Sequence, residues 1–135
     1  MKTVIKLIII AITAISINSM TFAQGEKAKP WDVPAKFKDM KNAVATSAAS
    51  VQAGDALYKK NCASCHGKTG LGDGTKAKTL DTSPGDFTSA GFQKQTDGTL
   101  FYQIKTGRED MPKYDKKIED SDIWNIVNYL RTLKK

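Results

Sequence analysis

Cys62, Cys65 and His66 are the only cysteines and the only histidine of the 135-residue chain, and they stand together in "NCASCHGKTG", Asn61 to Gly70. Three chemistries can use such a cluster: a redox disulfide, a zinc site, or covalent attachment of a haem. Structural zinc takes four ligands, mostly Cys and His. Here three adjacent candidates exist and a second Cys/His pair is missing, so a carboxylate would have to complete the set. A redox CxxC normally belongs to a thioredoxin-like α/β pattern. Here the motif closes a helical pattern, and no segment reads as a convincing strand. The haem reading uses all three residues. Cys62 and Cys65 are three apart and face the same way on a helical turn. They can form thioethers with two vinyl groups on one side of a porphyrin, and His66 then reaches the iron. C-x-x-C-H is the attachment signature for c-type haem.

A haem iron held by one histidine has a sixth position, and no second histidine exists to fill it. Beyond residue 23 the methionines are Met40 and Met111. Met40 precedes the motif in a lysine-rich stretch. Met111 lies in "GREDMPKY", where Pro112 restricts it to an extended conformation. A thioether sulfur at that site favours reduced iron and raises its potential. The alternative is an ordinary surface or core methionine. Its place in the loop favours ligation.

The elements that must hold these residues read as helices. Ser50 can cap "VQAGDALYKKNCASCH", with Val51, Gly54, Leu57, Tyr58 and Cys62 near one face. Gly54 weakens a helix interior by about 1 kcal/mol relative to Ala, so a close neighbour is expected there. Residues 67–86 read as loop, and "GKTGLGDG" lacks the Lys-Ser/Thr ending of a phosphate loop. Its glycines suggest tight wrapping around something flat. Thr96 or Asp97 can cap "DGTLFYQIKT", which Gly107 stops, with Leu100, Phe101 and Ile104 as its apolar face. The last segment follows "EDSD" and carries an apolar stripe of Ile123, Ile126, Val127, Leu130 and Leu133, flanked by Trp124 and Tyr129. The expected fold is all-α, with three or four helices and long loops. A domain of this size is marginal on its own core, and a large buried cofactor would add cohesion.

Residues 1–23 read as a secretory signal peptide: Lys2 and Lys6, an apolar run from Leu7 to Ile17, then Thr21 and Ala23 at the small positions before the cut. A membrane-spanning helix needs about 20 apolar residues, so a spanning segment is the poorer reading and an uncleaved anchor a minor one. Export to the periplasm is expected. Without residues 1–23, which hold two lysines and no acid, the chain keeps 19 basic and 14 acidic residues, a net of +5. That balance favours acidic protein partners. The lysines are dispersed without base-stacking aromatics between them, which argues against nucleic acid. Residues 24–49 form an extension, with Trp31, Val33, Phe37 and Met40 among lysines. It could wrap the domain of residues 50–135 or dock a partner, and wrapping is preferred because an exposed Trp and Phe would be costly.

Over residues 50 to 133 the chain resembles class I cytochrome c, the mono-haem family with His/Met-ligated iron. "GDALYKKNCASCHG" is similar to that family's first helix, with Gly54, Tyr58 and Cys62 at its spacing. "IVNYLRTL" resembles its last helix, Ile126 and Tyr129 crossing the first near Gly54, and "MP" its sixth-ligand loop. The resemblance implies a helical fold around one haem c. It also implies covalent attachment through Cys62 and Cys65, axial ligation by His66 and Met111, and electron transfer without enzymatic turnover. A family proline offers its carbonyl to the haem histidine; Pro84 is the candidate, farther along the loop than usual. The extension is similar to one on small periplasmic bacterial cytochromes. A soluble monomer that carries single electrons between redox proteins is the leading expectation. A haem subunit of a larger redox enzyme or oxidase comes second, and a haem enzyme or ligand sensor with a labile sixth position third.

Overall fold

The computed structural model describes residues 29–135, and the expected signal peptide lies outside them. Six α-helical segments follow in order: α1 Ala35–Lys38, α2 Ala48–Asn61, α3 Ala63–His66, α4 Ala90–Gln93, α5 Asp97–Thr106 and α6 Asp120–Thr132. One 3₁₀ turn covers Ala77–Thr79. The fold is all-α, as expected, with single-turn helices added to the three long ones. Among the described residues no helix is long and apolar enough to cross a membrane.

The first long helix starts earlier than its apolar pattern suggested. Ser47, not Ser50, is the N-cap of α2. The Ser50 amide donates to Ser47 Oγ (3.1 Å) and the Ser47 amide donates to Ser50 Oγ (2.9 Å). This reciprocal box satisfies two backbone donors of the first turn. The expected helix also does not run through the cysteines as one piece. Cys62 takes φ −120° and ψ −36°, and α3 is a separate turn.

α2 and α6 cross at Gly54, as the glycine's placement implied. A Cβ there would strike the Asn125 carbonyl and lie 2.9 Å from Tyr129 Cβ. Tyr58, one turn on, is fully buried, with its ring 5.1 Å from that of Tyr129. The predicted stripe of α6 is buried at Ile123, Ile126, Val127 and Leu130, while Leu133 is the C-cap and only partly buried. Trp124 is a core residue rather than a flank: its ring stacks on Phe101 at 4.2 Å. That contact joins α6 to α5, which is capped by Thr96 and buries Leu100, Phe101 and Ile104.

The segment before α2 packs along this frame. Val33 is buried, and the Phe37 ring lies 4.8 Å from that of Tyr102 on α5. Asn128, buried on α6, ties the rest down. It accepts from Asn42 Nδ2 (2.8 Å) and Thr46 Oγ1 (3.0 Å), and donates to the Val44 carbonyl (3.2 Å) and Ser50 Oγ (3.1 Å). A buried amide with all these partners fixes one chain path, because leaving any one of them unpaired costs about 1–3 kcal/mol.

Candidate functional site: a large cavity between the cysteine turn and the methionine turn

The turn that carries Cys62, Cys65 and His66 is held from both sides. The Cys65 and His66 amides donate to the Cys62 carbonyl (3.1 and 3.0 Å). Three carbonyls of the turn would be left without intrahelical partners. The following loop takes them: Lys76 N donates to Ser64 O (2.8 Å), Gly74 N to Cys65 O (3.2 Å) and Gly72 N to His66 O (2.9 Å). The glycine-rich loop therefore wraps the backbone of α3. At Gly74 a side chain would collide with the Ser64 and Cys65 backbone. Tyr58 OH closes the bracket by donating to Gly67 O at 2.7 Å.

Met111 is placed by a tight two-way turn. Arg108 N donates to Met111 O (2.9 Å) and Met111 N to Arg108 O (2.8 Å). Gly107, at φ 57°, sits where any side chain would meet the Met111 and Pro112 backbone. Glu109, inside the turn, has φ 50° and is the sole non-glycine residue with positive φ among those described. Such a residue costs of order 1–3 kcal/mol, and its surroundings must over-determine it. They do: Asp110 Oδ2 accepts from Asp81 N (2.9 Å), and Thr82 Oγ1 donates to Glu109 Oε2 (3.2 Å). Tyr114 then links this side to the cysteine turn, donating its OH to Asn61 O at 2.8 Å.

These two turns face one cavity of about 1320 Å³. Cys62, Cys65, His66 and Met111 all line it, with Pro84, Leu100, Ile104, Tyr114 and Leu130. Protein interiors have few voids larger than a water, and pockets for drug-sized ligands measure about 300–1,000 Å³. A space this large in so small a domain is room for a large, mostly apolar group. Met40 is absent from its walls; it packs instead on the core. Of the two candidate methionines, the fold brings Met111 alone to the cysteines.

The chemistry of the donor set fits a covalently held haem. Both thiols are unpaired. Burial, with Cys65 adding to it, pushes the Cys62 thiol up to about 12. It is therefore a neutral thiol at pH 7. Burial also lowers His66 to about 4, against an opposing influence of the Pro84 backbone. The imidazole is thus neutral at physiological pH, with a lone pair free for a metal. Pro84 acts on the ring as a hydrogen-bonding carbonyl would, yet His66 Nδ1 is buried without a completed hydrogen bond. Phe87 stacks on the imidazole at 4.4 Å. Burial, with Cys62 and Cys65, raises the Tyr114 phenol to about 12.

Sequence reasoning missed several parts of this site. Tyr114, Phe87 and Arg108 line the cavity, and so do Trp31 and Val33 from the segment before α1. The Tyr114 signal was present, an aromatic three residues past Met111 in an otherwise charged stretch. Trp31 and Arg108 carried no local signal, because their partners lie far away in sequence.

Comparison with known proteins bears on the same region. A family model described as Cytochrome C oxidase, cbb3-type, subunit III matches residues 49–130. The chain is 30% identical over 90 residues to cytochrome c6 of Gracilaria tenuistipitata var. liui, covering 66% of this chain and 78% of that one. Among solved structures it is similar to a chain of the Kuenenia stuttgartiensis reducing HAO-like protein complex Kustc0457/Kustc0458, with TM-score 0.63 and 26% identity. That match covers 68% of this chain and 47% of that one, so the chain spans about half its length. It is also similar to the KustC0563 c-type cytochrome, with TM-score 0.54 and 28% identity over 61% of this chain and 98% of that one.

Proposed function

We propose a residue-level reading for a chain that belongs to the cytochrome c family matched by the cbb3-type subunit III model, a class I, mono-haem, electron-carrying haem protein. Its cofactor is covalently bound haem c. In the reading proposed, Cys62 and Cys65 would hold the haem covalently through thioethers. His66 and Met111 would ligate its iron. One observation carries this: four residues from segments 45 positions apart line a single cavity.

The bound group supplies an iron that cycles between Fe(III) and Fe(II). The chain supplies the rest. Neutral His66 offers a lone pair without first losing a proton. Met111, held by two backbone hydrogen bonds with Arg108, would supply the other iron ligand. Leu100, Ile104 and Leu130 exclude water from the cavity wall. A rigid, dry surround keeps the rearrangement that accompanies each electron small.

The chain acts as a carrier, not as an enzyme, in the periplasm after removal of residues 1–23. The domain of residues 50–135 carries the haem, and residues 24–49 extend it. Lys29, Lys38 and Lys76 stand at the cavity. They suit acidic patches on redox partners that meet a monomer. A second reading, a haem subunit of a larger redox assembly, is favoured by the oxidase-subunit description of the family and by the similarity to a chain of a protein complex. Native size in the host separates the two: a lone monomer supports the carrier, a stable complex the subunit.

Optical spectra with a pyridine haemochrome, together with Met111→Ala, test the site. The wild type should carry one c-type haem, low-spin in both oxidation states, and bind carbon monoxide poorly. Met111→Ala should become high-spin and bind carbon monoxide readily. A wild type that already binds it readily would overturn the carrier reading.

A further inference from the structure

The family match begins at residue 49, yet part of the cavity is built by residues before it. Trp31 and Val33 line the cavity, and Val33 is 4% exposed. The Arg108 guanidinium lies over the Trp31 ring, 4.3 Å from its centroid. Arg108 is also the residue whose backbone exchanges both hydrogen bonds with Met111. The arm therefore grips the turn that presents Met111, and it does so through the residue that defines that turn. It cannot drift freely, because Phe37 packs on Tyr102 and Asn128 holds Asn42, Val44 and Thr46.

We propose that Trp31 is a positioning residue for the sixth ligand: the N-terminal arm, by clamping Arg108, holds the Met111 turn against the cavity and keeps that side closed to small molecules. This rests on the reading of Met111 as an axial ligand. It assigns the arm a role inside the haem site rather than at a partner interface. Trp31 and Phe37, which a docking role would need exposed, instead pack on the chain's own residues.

A guanidinium over a Trp face contributes roughly a two- to fivefold factor in an equilibrium at an exposed site and about thirtyfold when desolvated. In the haem-loaded protein, Trp31→Ala should therefore raise the affinity of the oxidised iron for imidazole by about tenfold. Trp31→Phe, which keeps a ring face under Arg108, should restore most of the closure. Arg108→Gln, which leaves the arm intact and removes the cation, should open the site like Trp31→Ala, and it serves where the latter does not fold. In a Met111→Ala background, Trp31→Ala should add nothing. A merely structural loss would weaken the fold equally in both backgrounds without this dependence.

Each outcome points one way. If Met111→Ala binds imidazole no more tightly than wild type, the ligand assignment fails first. If Met111→Ala opens the site but neither Trp31→Ala nor Arg108→Gln changes imidazole affinity, the clamp is overturned while the ligand assignment stands. The clamp is likewise overturned if Trp31→Ala acts equally with and without Met111. Tightening in both single variants, with rescue by Phe and no effect without Met111, supports the clamp.

Discussion

Replacing Gly54 with Ala sets two effects of opposite sign against each other. In a helix interior, Ala is favoured over Gly by about 1 kcal/mol. Against that, the new methyl would collide with the Asn125 backbone carbonyl and lie 2.9 Å from Tyr129 Cβ. A backbone carbonyl cannot rotate aside, so α2 and α6 must separate. Overpacking of this kind costs typically about 1–3 kcal/mol, and a backbone obstacle points to the upper end. The net expectation is a loss of about 2 kcal/mol, a large part of the 5–15 kcal/mol that holds an ordinary domain together. For a domain of this size that lowers the melting temperature by roughly 8–16 °C. Thermal unfolding of the haem-loaded protein measures it, with exposed Gln52→Ala as a control for helix propensity. A Gly54→Ala protein that melts at or above the wild-type temperature would refute the crossing and the reason given for the glycine.

Tyr114 should report on alkaline stability. Its phenol is raised from 10.0 to about 12 by burial first and then by Cys62 and Cys65. The unfolded chain thus releases this proton from about pH 10, and the folded chain holds it. Stability from this group is complete below pH 10 and falls by about 2 kcal/mol as pH rises to 12, where the folded phenol is half ionised. Denaturant titrations at pH 8 to 12 should show this decline, and Tyr114→Phe should flatten it while losing about 1 kcal/mol at neutral pH with the bond to Asn61. Asn128→Leu should leave the Val44 carbonyl and the Asn42 side chain without their partner, at a cost of about 1–3 kcal/mol. Limited proteolysis should then cut between residues 29 and 47 much faster than in the wild type; equal rates would show that Asn128 does not tether the arm.

What could be seen in the sequence was whatever is written in adjacent residues. The haem-attachment role proposed for Cys62, Cys65 and His66 was legible because the C-x-x-C-H spacing is local. The proposal of Met111 rests on the scarcity of other ligands and on its place just before Pro112. The stripe of α6 follows from its period. Errors arose where a distant partner decides. Trp124 reads as a flank until α5 brings Phe101 beneath it. Asn128 carries no local signal of its role, since its partners are Asn42, Val44 and Thr46 from the arm and Ser50 from α2. The glycines of "GKTGLGDG" suggest a flat ligand, yet what approaches Gly74 is the backbone of α3, and what approaches Gly72 is the backbone of Gly85. Even the α2 boundary moved because either serine can cap, and the reciprocal box chose Ser47.

The site's two halves are built in different ways, and this bears on electron transfer. The cysteine turn is fixed by backbone hydrogen bonds from its own loop and by Tyr58, all close in sequence. The Met111 half hangs from long-range contacts: Asp110 to residue 81, Tyr114 to Asn61, Arg108 to Trp31. Glu109 holds a positive φ between them, and a segment kept in such a conformation relaxes once its restraints go. On the proposed ligand assignment, loss of tertiary structure should therefore release Met111 before His66. Spectra taken through a denaturant titration should show the sixth position opening while the proximal ligand is still bound. Simultaneous loss of both ligands would mean that the two halves are held with equal strength, contrary to the difference in how they are anchored.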